Sequence, residues 1–201
     1  DRIKKLLQST AQLEFWETYK IEEVGQYLMA VEEALKKTEV AVKAAPTKTT
    51  GIDSLLTDKA DTTAAAGTSP FLGKMLAPGQ QGAPHVGTFA TKDTAAINGY
   101  LKRADIKALL PANLTNIRFA WGKTNEKNPD ITDLYALKGT RDNVAPLSGG
   151  VIVDAKDTFD QMGKPAVSMQ MNGNGSRKWE QITGAVSQQG NAIAIVLDNI
   201  V

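Results

Sequence analysis

The order of elements in the last third of this chain limits its fold more than any other feature. "GGVIVDAKDTF" (149–159) and "PAVSMQM" (165–171) are strand-like runs, and "DQMGK" (160–164) between them carries turn residues, so the three read as a β-hairpin. "GNGSRKWEQIT" (173–183) follows as a helix, with Ser176 as its N-cap and Trp179 and Ile182 three apart on one face. "NAIAIVLD" (191–198) then reads as a strand with near-continuous burial. Short strands of this kind cannot bury a face alone, so the hairpin, helix and strand need a second layer.

The front of the chain supplies candidates for that layer. In "AQLEFWETY" (11–19), Leu13, Phe15 and Glu17 alternate with Glu14 and Trp16, which suits a strand covered on both faces. Residues 1–8 read as the last turns of a helix. Ile21, Val24, Leu28, Val31 and Leu35 form one stripe of a helix over 21–37, with Glu22, Glu23, Glu32, Glu33, Lys36 and Lys37 mostly off it. Residues 41–69 are rich in Thr, Ala and Lys and poor in large apolar groups, so they predict a mobile loop. Two helical pieces follow over 93–110, the first capped by Asp93 or Thr94 and running to about Lys102, the second closed by Pro111. "TNIRFAW" (115–121) and "ITDLYALKG" (131–139) are strands joined by the polar loop "GKTNEKNPD". The order of helices and strands predicts an α+β fold.

Charge and composition exclude several classes of function. The 201 residues carry 23 basic and 22 acidic side chains, a net charge of +1, with no basic run longer than two, so no nucleic-acid partner is expected. The absence of cysteine removes disulfides, thiolate metal sites and cysteine nucleophiles. The longest apolar run, "AIAIVL" at 192–197, is far short of the ~18 residues that span a bilayer, so this piece is not expected to cross a membrane. The chain lacks an initiator Met and ends inside an apolar segment, which reads as a fragment whose signal or anchor lies elsewhere.

No motif carries catalysis. His85, the single histidine, sits in "GAPHVGTF" without a partner motif and reads as a solvent-exposed loop residue. "GNGS" before a helix matches neither phosphate-loop pattern. The carboxylates of "TDKAD", "NEKNPD" and "DTFD" lack calcium-loop spacing, and Ser148 and Ser168 lack a nucleophile elbow. Catalytic residues, metal ligands and cofactors are therefore all expected to be none. Trp16, Trp121 and Trp179 each lie on a periodic apolar pattern, which favours core packing over a stacking platform.

Three segments together resemble the SecD and SecDF family, the accessory membrane component of the Sec protein-export machinery. "AQLEFWE" at 11–17 is similar to the family's T-A-x-L-E-F-R strand. "GGVIVDAKDTFDQMGKPAVSMQMNGNGSRKWEQIT" at 149–183 follows its order of G, D-A, D-x-x-G-x-P, A-V-S, G-(A/S)-(K/R)-K-(F/W) and a closing T, and "NAIAIVLDNIV" resembles its A-I-V-L-D strand. "GAVSQQG" after Thr183 departs from the family's usual asparagine-glycine connection, and the family's membrane helices are not in this chain.

The resemblance implies a ferredoxin-like α+β base formed by both chain ends, 1–17 plus 147–201, with an inserted α+β head over 18–146. It implies a domain on the periplasmic face of the inner membrane, part of an integral membrane protein. That domain would hold emerging preprotein segments, reach the Sec translocon membrane subunits through the full-length protein, and move relative to the membrane part. Phe71, Leu72, Met75 and Leu76, set among glycines and prolines, are expected either to offer an apolar surface to preprotein or to plug the head's own core. Glu17, Thr18, Pro146, Gly149 and Gly150 are the expected hinge, where the chain would cross between base and head. A free-standing envelope module for a glycan or small ligand is the alternative, and a hydrolase with an unrecognised site a third.

Overall fold

A computed structural model describes residues 12–44, 69–124 and 128–201, with the backbone alone for 39–44. The helix expected over 1–8 and the loop expected over 45–68 lie outside these residues. The alternating segment at the front becomes β1 (Leu13–Thr18), and the apolar stripe becomes α1 (Ile21–Ala44). Glu23 secures the start of α1 by accepting the Lys20 N–H at 2.8 Å, half of a capping box. The helix runs past the expected end, so 41–44 are helical and not loop.

Two short strands follow, β2 (Met75–Pro78) and β3 (His85–Ala90), then α2 (Thr94–Lys102) and α3 (Ala104–Lys107). Extended backbone at Arg103 separates the two helices. Asp93 precedes α2 as expected but does not cap it; its carboxylate holds Lys74 at 2.5 Å instead. β4 (Ile117–Trp121) and β5 (Ile131–Lys138) pair antiparallel, as their spacing predicts. The chain ends with β6 (Leu147–Ser148), β7 (Ile152–Phe159), β8 (Pro165–Met171), α4 (Gly173–Gln189) and β9 (Ile193–Leu197). This is an α+β fold on a mostly antiparallel sheet.

β1 is the crossing point of that sheet. One of its edges pairs with β9 from Leu13↔Leu197 to Glu17↔Ile193; β6 and β5 pair with it as well, at Glu14–Phe15 and Glu17–Thr18 respectively. β5 in turn joins β3 and β4. After β9, Val201 donates to the Trp121 carbonyl and accepts from Lys123 N–H, so β4, β5, β1 and β9 close a ring. Trp16 fills it, fully buried among Ala120, Leu137, Ala194 and Val196. Strands from the chain ends and from its middle therefore share one sheet. β7 and β8 pair only with each other among the described residues, and these pairings do not establish a ferredoxin-like base.

Two further cores flank the sheet. α1, α2 and α3 cover β3, β4 and β5 through Val24, Leu28, Val31, Leu35, Ile97, Ile106, Phe89 and Leu134. Leu13 and Phe15 point the other way, toward Leu147, the hairpin root and α4, where Trp179 meets Phe15 edge to face at 5.4 Å. β9 is less buried than expected: Ile195 and Leu197 are exposed while Ala194 and Val196 are buried, because only one face of it lies on the ring.

α4 begins one turn before the expected cap. Asn172 accepts the Gly175 N–H at 2.8 Å, which leaves Ser176 inside the first turn, and Gly190 at φ +64° ends the helix. Gly175 allows α4 to touch the hairpin: a Cβ there would lie 2.6 Å from Val151 Cβ and 3.2 Å from Met171 Cβ. A Cβ at Gly184 would meet nothing within 4 Å. In urea unfolding, Gly175→Ala is expected to cost about 1–3 kcal/mol through overpacking, while Gly184→Ala gains about 0.5–1 kcal/mol from helix propensity.

Tyr27 gives the core a titratable marker. Its ring stacks on Phe119 at 6.4 Å, and burial pushes its phenol from 10.0 up to about 12. An unfolded tyrosine ionises near 10, so Tyr27's contribution is whole below that pH and is lost as pH rises toward 12. Unfolding free energy should fall across that window by up to about 2–3 kcal/mol on this account, and Tyr27→Phe should flatten the fall.

Candidate functional site

The four apolar residues singled out in 71–76 separate in the structure. Phe71 is 0 % exposed and meets Phe89 edge to face at 5.8 Å. Leu72 and Met75 pack half-buried on the same core, whereas Leu76, on the edge strand β2, is 61 % exposed. Glu32 fixes this segment to α1. Only 5 % exposed, it accepts the N–H groups of Phe71 and Leu72 at 2.9 Å each. Burial pushes its carboxyl up, but those two N–H groups, the Ser69 side chain and Lys36 outweigh burial and hold it below the usual carboxylate range. Its place off the apolar stripe concealed this role.

The expected hinge residues also occupy different settings. Glu17 and Thr18 end β1 inside the sheet; Glu17 holds Lys138 at 2.5 Å and accepts from Asn191 at 2.8 Å, and the buried Thr18 donates its N–H to the Ala192 carbonyl at 2.9 Å. Pro146 accepts Lys178 Nζ at 3.4 Å, just before β6. Gly149 and Gly150 open a short 3-10 turn with ordinary negative φ, and a Cβ on Gly149 would lie 3.0 Å from Leu13 Cβ. Close approach to β1 is the visible use of Gly149.

Among the described residues the two most exposed large apolar side chains, Met162 and Phe159, lie on the hairpin β7–β8. Its root is anchored, with Ile152, Met169 and Met171 packed on Leu13, Phe15 and Leu147. Its far half is open: Phe159 is 72 % exposed, Met162 83 % and Val167 56 %. Asp160 shapes the tip by accepting the N–H groups of Met162 and Lys164 at 2.8 Å each, with Gly163 at φ +75°. Among the described residues neither strand has a second strand as neighbour, so β8 presents an open outer edge. β8 carries no charged side chain from Pro165 to Met171. The sequence pattern located the hairpin but not its exposed residues; the run without charge beside Phe159 and Met162 was the available signal.

His85 opens β3 half-buried, its ring 6.2 Å from Tyr135, and not in a free loop as expected. Among the described residues no group of His, Asp and Glu could hold a metal ion, and no helix is long and apolar enough to cross a membrane. The tryptophans lie in or against the cores, Trp121 donating its Nε1–H to Asn98 at 3.0 Å.

A family model described as the SecDF P1 head subdomain matches residues 133–201. Its match crosses the boundary at 147 expected between inserted head and base. The chain is also 34 % identical over 218 aligned positions to the protein translocase subunit SecD of Rhodothermus marinus, with all of this chain covered. It spans 32 % of that protein's length. No solved structure matches. Head-subdomain match, full-chain identity and the motifs at both ends agree: the chain belongs to the SecD/SecDF family, as part of its first periplasmic domain.

Proposed function

We propose that this domain holds emerging preprotein segments on the periplasmic face of the membrane, as part of an accessory subunit of the Sec translocon. The open hairpin β7–β8 carries this reading. A holder of unfolded chains must bind without reading sequence. Backbone groups on a strand edge do so, because every extended polypeptide offers the same complementary N–H and C=O groups. Phe159, Met162 and Val167 add apolar contact, and methionine adapts to side chains of different shape. Leu76 on β2 offers a second, smaller exposed apolar point.

The domain works by binding, and its partners are preprotein and, through the full-length protein, the translocon membrane subunits. Motion relative to the membrane part would turn a held segment into net export. Leu147 and Ser148 pair with Phe15 and Glu14 and, like Glu17 and Thr18, would move with the ring, which leaves Gly149–Gly150, leading into the hairpin, as the place to absorb such motion. A glycan-binding module would need tryptophans free to stack, and Trp16, Trp121 and Trp179 lie in or against the cores, so no specific observation favours that alternative.

The test is photocrosslinking from single positions in the membrane-embedded full-length protein to a stalled secretory chain. Probes at Phe159 and Val167 are expected to crosslink strongly, a probe at Leu76 weakly, and one at the buried Phe71 not at all. Crosslinks absent from both hairpin positions would contradict the reading.

A further inference from the structure

A second site lies away from the hairpin, in a cleft of about 350 Å³ between α2, α3 and β4. Leu101, Ile117 and Phe119 give it an apolar floor. Its charged lining is all basic: Lys102, Lys107 and Arg118, with Asn98 and Asn143 as the polar remainder. The chain as a whole is almost neutral, with 23 basic and 22 acidic side chains, yet no carboxylate lines this cleft.

The hydrogen-bonding capacity is as one-sided as the charge. Ammonium and guanidinium groups only donate. Asn98 spends its Oδ1 on Trp121 Nε1–H at 3.0 Å, which leaves its amide N–H groups for a ligand. Arg118 is held in place by Glu14 at 3.5 Å, by the Trp16 ring at 5.0 Å and by Asn199. Among the described residues Lys102 and Lys107 make no ion pair, and both are exposed. Two uncommitted cations, amide donors and an apolar floor suit a ligand that is rich in acceptors, anionic and partly apolar.

We propose that this cleft binds polypeptide segments in which Asp or Glu stands beside a large apolar residue. The apolar side chain would sit on Leu101, Ile117 and Phe119, and the carboxylates would meet Lys102 and Lys107. The concave floor favours a peptide over an anionic lipid surface, since the volume suits one or two side chains and a bilayer would meet the lysines without entering. The inference rests on the holding function above and narrows it: this site prefers acidic segments, while the hairpin edge is indifferent to side-chain charge.

The experiment measures anisotropy of dye-labelled twelve-residue peptides of alternating Leu and Glu, Leu and Gln, and Leu and Lys, titrated with the full chain. The Glu peptide is expected to bind about tenfold or more tighter than the Gln peptide, with the gap shrinking as salt is added. Lys102→Glu with Lys107→Glu should remove that preference without lowering the melting temperature, because both side chains are exposed. Arg177→Glu with Lys178→Glu, the same charge change elsewhere on the surface, should leave the preference within about twofold. Equal binding of the Glu and Gln peptides, equal losses in both charge-reversed proteins, or binding of phosphatidylglycerol vesicles with no preference among peptides would each overturn the proposal. Hairpin crosslinks seen alongside any of these results would leave the holding function standing; absence of binding by all three peptides would count against both.

Discussion

β1 is the constraint on which the other elements depend. It is paired on both edges and covered on both faces, so its alternation decides which side chains enter which core. Leu13 and Phe15 enter the core beneath α4 and the hairpin root, Trp16 fills the ring, and Tyr19 just beyond joins the core beneath α1. A slip of one residue would put Glu14 where Leu13 now packs and Glu17 where Trp16 now fills the ring. The indole also demands a polar partner where water is excluded. Glu14 accepts the Trp16 Nε1–H at 2.9 Å, and Arg118 balances that carboxylate at 3.5 Å while lying over the ring.

The frame built on β1 contrasts with what projects from it. Residues around the ring have their backbone groups bonded within the sheet, and their large side chains are buried. The far half of β7–β8 has neither property: its apolar side chains are exposed and the outer edge of β8 is open among the described residues. A packed frame carrying an open edge is the arrangement that the proposed holding of preprotein segments would use. Exposed edges of this kind invite aggregation when uncharged, and β7 carries Asp154, Lys156 and Asp157 beside the uncharged β8.

Periodicity shows which face of an element is buried, and it is reliable where burial is regular. The stripe from Ile21 to Leu35 and the alternation from Leu13 to Trp16 both read correctly for that reason. It says nothing of long-range neighbours. Nothing local shows that β1 pairs with β9 and β5, that Val201 closes a ring onto Trp121, or that β8 stays out of the main sheet. Glu32 was hidden by the same limit, because its partners, the N–H groups of Phe71 and Leu72, lie about 40 residues away. Asn172 displaced Ser176 as the cap because both residues suit the position and only geometry selects between them. The basic cleft draws its walls from separate stretches around 98–107, 117–119 and 143, with no spacing to reveal it. Phe71 and Leu76, five residues apart in one short apolar motif, have opposite fates because a 3-10 turn and an edge strand point them different ways.

Amide hydrogen exchange, read residue by residue with and without an extended unstructured peptide, tests this account most directly. β1 should be among the slowest-exchanging segments in both conditions. Outward-facing amides of the far hairpin should exchange at least about tenfold faster than those of β1 and slow when peptide is added. A β1 that exchanges as fast as the hairpin, or a hairpin whose outer amides are protected alone and indifferent to peptide, would contradict the division into a rigid frame and an open binding edge.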